Sequence, residues 1–241
     1  MSGHSKWSTI KHKKALTDKK RSGLFSKISK IISIAAKDDP NPDTNPKLKT
    51  AIDKARSVNM PKDNIERAIN KTRDKDVAQL SEVQFDILGP SQVAIIVTAI
   101  TDNSNRTLGE IRQILTKNNS KLADQGAISW MFNKQGVIRT SSLVDREDLT
   151  IEDIELQLIE AGAEDIKKDD VNMAIFTRPE SLYQVKSAAE GLGLVIDSAE
   201  IEMVPTNTVT VDDSNEREKI DKLLEELDDH EEVNSIFSNL E

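Results

Sequence analysis

The spacing of apolar residues changes character near residue 80, and that change sets the architecture. Before it, apolar side chains recur every three or four positions: Leu24, Ile28, Ile31, Ile32 and Ala35, then Leu48, Ile52 and Ala55, then Ile65, Ala68 and Ile69. Such spacing gives each of three short helices one apolar stripe, and each stripe needs the others for cover. Local punctuation agrees. Asn45-Pro46 reads as a helix start, because proline lacks the N–H that the first helical position leaves unpaired in any case. Pro61 opens a further helix, with Asp63 and Glu66 in its first two turns, where acids complement the positive end of the helix.

After a charged connector over 73–81, short strand-like runs alternate with helical ones. Val83–Leu88 and Val93–Ile100 flank Gly89-Pro90 and predict a strand pair. Thr107 with Glu110 has capping-box spacing and predicts a helix to Lys117. Ala127–Phe132 reads as a strand, which would make Trp130, Met131 and Phe132 core residues rather than a stacking platform. Gly136–Thr140 (strand), Ile151–Glu160 (helix), Asp165–Lys168 and Asn172–Thr177 (strands), Pro179–Gly191 (helix) and Leu194–Val204 (strand) follow. Thr208–Val211, Glu216–Leu227 and Val233–Phe237 close the chain as strand, helix and strand.

Residues 137–204 are a complete βαββαβ series, and 82–133 with 206–238 make another if they are one unit interrupted by an insertion. The predicted class is α+β. A basic arm (1–22) and a three-helix domain (23–75) precede a discontinuous α/β domain (82–133 plus 206–241), into which a further α/β domain (134–205) is inserted. Both α/β domains are expected to be ferredoxin-like, split-βαβ sandwiches.

Charge divides the chain at the same boundary. Residues 1–75 carry 19 Lys+Arg against 8 Asp+Glu, whereas the whole chain carries 33 against 42. The first 37 residues hold ten Lys+Arg and a single acid, Asp18. Cations concentrated in this way form the electrostatic footprint of a phosphate-binding end. Only one of those ten is arginine, and lysine is a point charge without the fork that reads guanine, so backbone contact is favoured over sequence reading. Aromatic residues are only 3% of the chain, so stacked bases cannot be the main device.

Other functions are disfavoured by what the chain lacks. It has no cysteine, so disulfides, thiolate zinc sites and thiol nucleophiles are excluded. The start carries no apolar leader and no run suits a membrane span, so a cytoplasmic location is expected. The helix from Leu24 to Lys37 sets lysines beside isoleucines, as a membrane-surface helix would, but the two following helices need that same face. His4, His12 and His230 stand in no nucleophile motif, and there is no Walker loop, nucleophile elbow or His-Glu-x-x-His. Asp102, Ser104 and Arg106 alternate like calcium ligands, yet Arg106 occupies a ligand place and no glycine follows it. The chain is expected to be no enzyme and to use no cofactor, metal or small-molecule substrate.

Several motifs carry a resemblance. GHSKW (3–7), IKHKK (10–14), NPKLKTAIDKA (45–55), NMPKDNIERAI (59–69), TDNSNRT (101–107), SWMF (129–132) and ELDDHEEVNSIFSN (226–239) closely resemble the YebC/PmpR family, represented in mitochondria by the translational activator of cytochrome c oxidase. The resemblance implies a helical domain followed by two α/β domains, the third inserted in the second. It implies a cytoplasmic regulator of gene expression, described as DNA-binding and transcriptional in some members and as a ribosome-associated factor that relieves stalling on proline-rich sequences in others. This chain departs from the family at three glycine-rich loops, having KTRDKD at 71–76, Ser91-Gln92 after Gly89-Pro90, and Asn118-Asn119. Asparagine tolerates positive φ better than most residues, so the last change preserves a turn.

The candidate nucleic-acid contacts are therefore Lys6, Lys11, Lys13, Lys14, Lys19, Lys20 and Arg21 of the arm, with Trp7 to stack and His12 to donate. Lys27 and Lys30 extend the set along the first helix and Lys62 adds to it, while Arg56, Asn59 and Arg67 are the groups best suited to base edges. Arg106 is a further candidate. The expected partner is the phosphate backbone of DNA or rRNA. The acidic stretch 212–232 is first a solvated helix; its functional readings are docking on a basic ribosomal or polymerase surface, or folding back onto the arm. A pure protein-interaction scaffold is the third class.

Overall fold

Three helices, each started by local chemistry, lead into two sheets. The computed structural model describes residues 18–71, 80–143, 150–169 and 172–241. In chain order the elements are α1 (Asp18–Ala35), α2 (Pro46–Ser57), α3 (Lys62–Asn70), β1 (Ser81–Leu88), β2 (Ala94–Thr101), α4 (Ser104–Lys117), β3 (Lys121–Leu122) and β4 (Phe132–Leu143). They continue as α5 (Ile151–Glu160), β5 (Ala163–Asp169), β6 (Asn172–Thr177), α6 (Leu182–Gly191), β7 (Leu194–Pro205), α7 (Ser214–Asp228) and β8 (Val233–Ser238). The chain divides into two units: one runs to Asn133 and resumes at Val204, and the other is Lys134–Met203.

In the first unit, α1 begins at Asp18 rather than at Leu24. An acid at a helix start complements the dipole, and the lysines and arginine that follow are good helix formers. Asn45 accepts the Leu48 N–H at 3.1 Å as the cap of α2, while its amide donates to the carbonyls of Ala35 and Asp39, so one side chain fixes the α1–α2 corner. Leu24, Ile28, Ile32, Leu48, Ile52, Ala55, Met60, Ile65 and Ala68 form the shared core of these helices.

The sheet of this unit has the order β3-β1-β2-β8. Its core face sets Phe85, Ile87, Ile95, Val97 and Ala99 against Ile111 and Leu115 of α4 and Ile220, Leu223, Leu224 and Leu227 of α7. The layout is a split βαβ, with β1 lying between β2 and β3 around the crossover α4. The chain path is not the expected βαββαβ series, however. The intervening strand β1 comes first and makes a hairpin with β2, because the short connection Gly89–Val93 closes that pair before α4 begins. The second unit keeps the βαββαβ path, with sheet order β5-β6-β4-β7 and a core of Ile138, Ile154, Leu158, Met173, Ile175, Leu182, Val185 and Leu194.

Three local expectations are corrected. Ala127–Phe132 is not a strand: Ser129–Met131 is a 3-10 turn, and β4 starts only at Phe132. Thr107 is not the cap of α4; the Asn103 side chain accepts the Arg106 N–H at 3.1 Å, and Thr107 lies buried inside the helix. Thr208–Val211 contributes only an isolated parallel bridge, Val209 to Leu240. Asn119 does adopt a left-handed turn, at φ 51°.

The β1–β2 connection holds two non-glycine residues in the left-handed region, Ser91 at φ 53° and Gln92 at φ 59°. A side chain there costs about 1 kcal/mol from Cβ crowding. Gln92→Gly is expected to raise the stability of this unit by about 0.5–1 kcal/mol, read as a higher urea midpoint with unchanged slope. An unchanged or lower midpoint would refute the strain assigned to this turn.

Candidate nucleic-acid interface

The helical segment presents its cations unequally. Lys6, Trp7, Lys11, His12, Lys13 and Lys14 lie outside the described residues, and Lys19 and Lys20 contribute their backbone to the first turn of α1. Arg21 is exposed on α1. Arg56 at the end of α2, Asn59 in the following turn, and Lys62 and Arg67 on α3 are exposed around a single helix-turn-helix corner. Asn59 takes φ 58°, and the Met60 N–H returns to the Ala55 carbonyl at 3.0 Å, which closes the corner tightly. Arg56 lies 4.0 Å from Asp53 and Lys62 lies 3.4 Å from Glu66. Exposed pairs of this kind contribute less than about 1 kcal/mol and give way easily to a phosphate. Lys47 and Lys71, absent from the expected set, are exposed on the same segment.

Lys27 and Lys30 point elsewhere. The Lys27 ammonium donates to the carbonyl of Asp228 at the end of α7, and the Lys30 ammonium lies 3.9 Å from Glu232. Burial lowers the pKa of Lys27, against the opposing pull of Asp228 and Asp229. Their helical spacing predicts an outer rim for both lysines, yet their charge is directed to the acidic carboxy-terminal segment of the same unit. That segment folds back onto α1.

Glu232 is the centre of this contact. It is 7% exposed, and the Thr107 hydroxyl donates to its Oε2 at 2.6 Å. Arg106, the further candidate, uses one guanidinium nitrogen for Glu232 and for Asp102, the latter at 2.7 Å. The Glu232 N–H donates to His230 Nδ1 at 3.2 Å, so the proton of the neutral imidazole sits on Nε2, which meets Glu110 at 2.9 Å. Glu110 thus serves a histidine across the fold, not the backbone at Thr107.

Burial pushes the Glu232 carboxyl pKa up, but hydrogen bonds from Thr107, Arg106 and Thr101 and the charge of Lys30 bring it below the ordinary carboxylate value. A carboxyl depressed on folding stabilises fully above its unfolded pKa, and that contribution is lost as pH falls through the folded one. Glu232→Gln is expected to cost about 1–3 kcal/mol at neutral pH. Urea melts across an acid series should show the gap between parent and variant closing below the normal glutamate range. A gap that stays constant into strong acid would mean that the charge of Glu232 contributes nothing to stability.

Trp130 reverses its expectation. It is 74% exposed, with its indole N–H donating to the Ala127 carbonyl at 2.8 Å. The cause lies in Asp86, a buried carboxylate that accepts from the Gly126 N–H at 2.9 Å and from the Ser129 hydroxyl at 3.1 Å. These bonds fold 123–131 into turns and lift Trp130 outward. The Asp124-Gln125-Gly126 run is the sequence signal for a turn at this place. Among the described residues no group of three His, Cys, Asp or Glu side chains could hold a metal ion. No helix among them is long and apolar enough to cross a membrane.

Comparison with known proteins covers the whole chain. Residues 5–75 match the amino-terminal domain model of TACO1/YebC proteins, and residues 80–240 match the model of their second and third domains. A protein of Halothermothrix orenii is 41% identical over 100% of this chain and 95% of its own, and one of Dictyoglomus turgidum is 44% identical over 100% and 96%. Both bear the name probable transcriptional regulatory protein. The crystal structure of a conserved hypothetical protein of Aquifex aeolicus superimposes with a TM-score of 0.84 at 38% identity, covering 98% of this chain and 97% of that one. End-to-end matches of this strength, on the fold described above, leave one assignment: the chain belongs to the TACO1/YebC family.

Proposed function

We propose that this chain is a non-enzymatic regulator of gene expression that holds nucleic acid through its amino-terminal arm and three-helix segment. The observation that carries the reading is the charge division, 19 Lys+Arg against 8 Asp+Glu before residue 76 on a chain that is acidic overall. The cationic end attracts phosphates, while the acidic remainder repels them and orients the encounter. Lys27 and Lys30 fall outside the proposed contact surface, since they face Asp228 and Glu232. Arg21, Arg56, Asn59, Lys62 and Arg67 remain on it, with Lys6, Trp7, Lys11, His12, Lys13, Lys14, Lys19 and Lys20 of the arm.

Duplex DNA is the first partner in this reading, because relatives are named as transcriptional regulators. The α2–α3 corner carries the arginines and asparagine able to meet base edges. Structured rRNA is the second, favoured by the excess of lysine over arginine in the first 37 residues, which suits backbone contact without sequence reading.

Affinity for a labelled duplex should fall linearly with the logarithm of salt, with a slope of about −0.9 per neutralised phosphate. The triple variant Arg56→Gln, Lys62→Gln, Arg67→Gln should flatten that slope by about 2–3, and deletion of residues 1–17 should flatten it further. Specific promoter footprints without ribosome association support the DNA reading; co-sedimentation with ribosomal subunits and arm crosslinks to rRNA support the second. A slope unchanged by both alterations would show that the grip lies elsewhere.

A further inference from the structure

Among the described residues, the strand β1 has an edge that is paired for only part of its length. β2 covers its whole length, from Ser81 opposite Thr101 to Leu88 opposite Ala94, without a bulge. On the other side β3 pairs only with Ile87 and Leu88. The Ala123 N–H then donates to the Asp86 carbonyl at 2.8 Å, and the chain turns away to wrap the Asp86 carboxylate. That last bond fixes the parity of the strand: even-numbered residues direct their N–H and C=O toward the β3 side. Glu82 and Gln84 therefore hold out backbone groups that no strand among the described residues meets. Ser81, Glu82 and Gln84 are exposed, so this edge faces solvent.

The edge lines a cleft of about 480 Å³ between β1 and the first turns of α4. Val83, Leu108 and Leu122 make its apolar floor, each partly buried against the core of the unit. Gln84, Asn105 and Gln125 supply polar walls. Native proteins guard an exposed edge with lysine, proline, a bulge or a cover, since unpaired backbone groups recruit other strands. Among the described residues none of these devices occurs between Ser81 and Phe85, and the exposed charge is an acid, Glu82. A second copy of β1 would set acid against acid. A basic segment would complement the edge.

We propose that β1 and α4 form a strand-addition site for an extended segment of a partner protein, apolar at alternate residues and basic between them. The added strand continues the antiparallel pairing that β3 begins. Residues directly opposite one another share a face, so apolar side chains of the guest lie over Val83 and Leu108, and basic ones lie beside Glu82 and Gln84. The backbone hydrogen bonds then come from the basic residues of the guest. This site involves no nucleic acid, so it stands or falls separately from the grip of the basic end on phosphates.

The test uses the full chain and the probe acetyl-Lys-Val-Lys-Val-Lys-Val-amide with two analogues, one N-methylated at the lysines and one at the valines. The parent peptide should bind and should slow hydrogen exchange at the Glu82 and Gln84 amides. Methylated lysines should weaken binding at least about tenfold, because those amides face β1, whereas methylated valines should leave it nearly unchanged. Leu108→Asp should weaken binding comparably, and the analogue pair on unaltered protein keeps the test valid if that variant folds poorly. Equal affinity for both analogues, no binding at millimolar peptide, or unaltered exchange at Glu82 and Gln84 would overturn the proposal. A dimer that protects those amides and loosens on dilution would assign the edge to a second copy and overturn it as well.

Discussion

One buried carboxylate, that of Glu232, holds the first unit in register. It collects Thr107 and Arg106 from α4 and the charge of Lys30 from α1, and its own carbonyl accepts the Ile100 N–H of β2 at 2.9 Å. An ionised group away from water is tolerable only when its oxygens are fully met by donors. That requirement fixes several things together: where α4 starts, how the chain passes from α7 into β8, and which side of α1 turns inward. The helical segment is thus joined to the sheet by polar contacts of defined direction, in addition to its own apolar core.

The same contact sorts the cations. An overall acidic chain with a basic front could neutralise itself, and in part it does, through Lys27 and Lys30. The carbonyl of Asp228 and the carboxylate of Glu232 engage the inward side of α1, and the corner between α2 and α3 keeps Arg56, Lys62 and Arg67 in solvent. Internal pairing therefore selects which cations face outward. Fewer cations of the described helical segment face solvent than its composition suggests, and Arg56, Lys62 and Arg67 stand around one tight turn.

Asp86 does comparable work on the opposite face of the sheet. By gathering the Gly126 and Ser129 donors it draws the chain after β3 off the edge of β1 and over the sheet face. Two consequences share this cause: Trp130 stands in solvent, and among the described residues no strand pairs with Glu82 and Gln84 on that side. Gln84 itself donates to Ser129 at 3.0 Å, which couples the presented turn to the open strand.

Helix faces such as Ile28–Ile32 and Ile65–Ala68, the Asn45 cap, the paired strands around Gly89-Pro90 and the βαββαβ path of the second unit were all legible in the chain, because periodicity and capping act over a few residues. The charge division was legible for the same reason, being a property of composition along the sequence. What tertiary structure alone decided were matters of partnership between distant residues. Thr107 and Glu110 have the spacing of a capping box, but Glu232 and His230, more than a hundred positions away, offer better partners. Trp130 belongs to an apolar run that looks like a strand, but a carboxylate on β1 bends the chain there. Lys27 and Lys30 have the pattern of a solvated rim until α7 and β8 close over them. Local spacing specifies which elements form, whereas the destination of a buried charge depends on donors that only folding brings within reach.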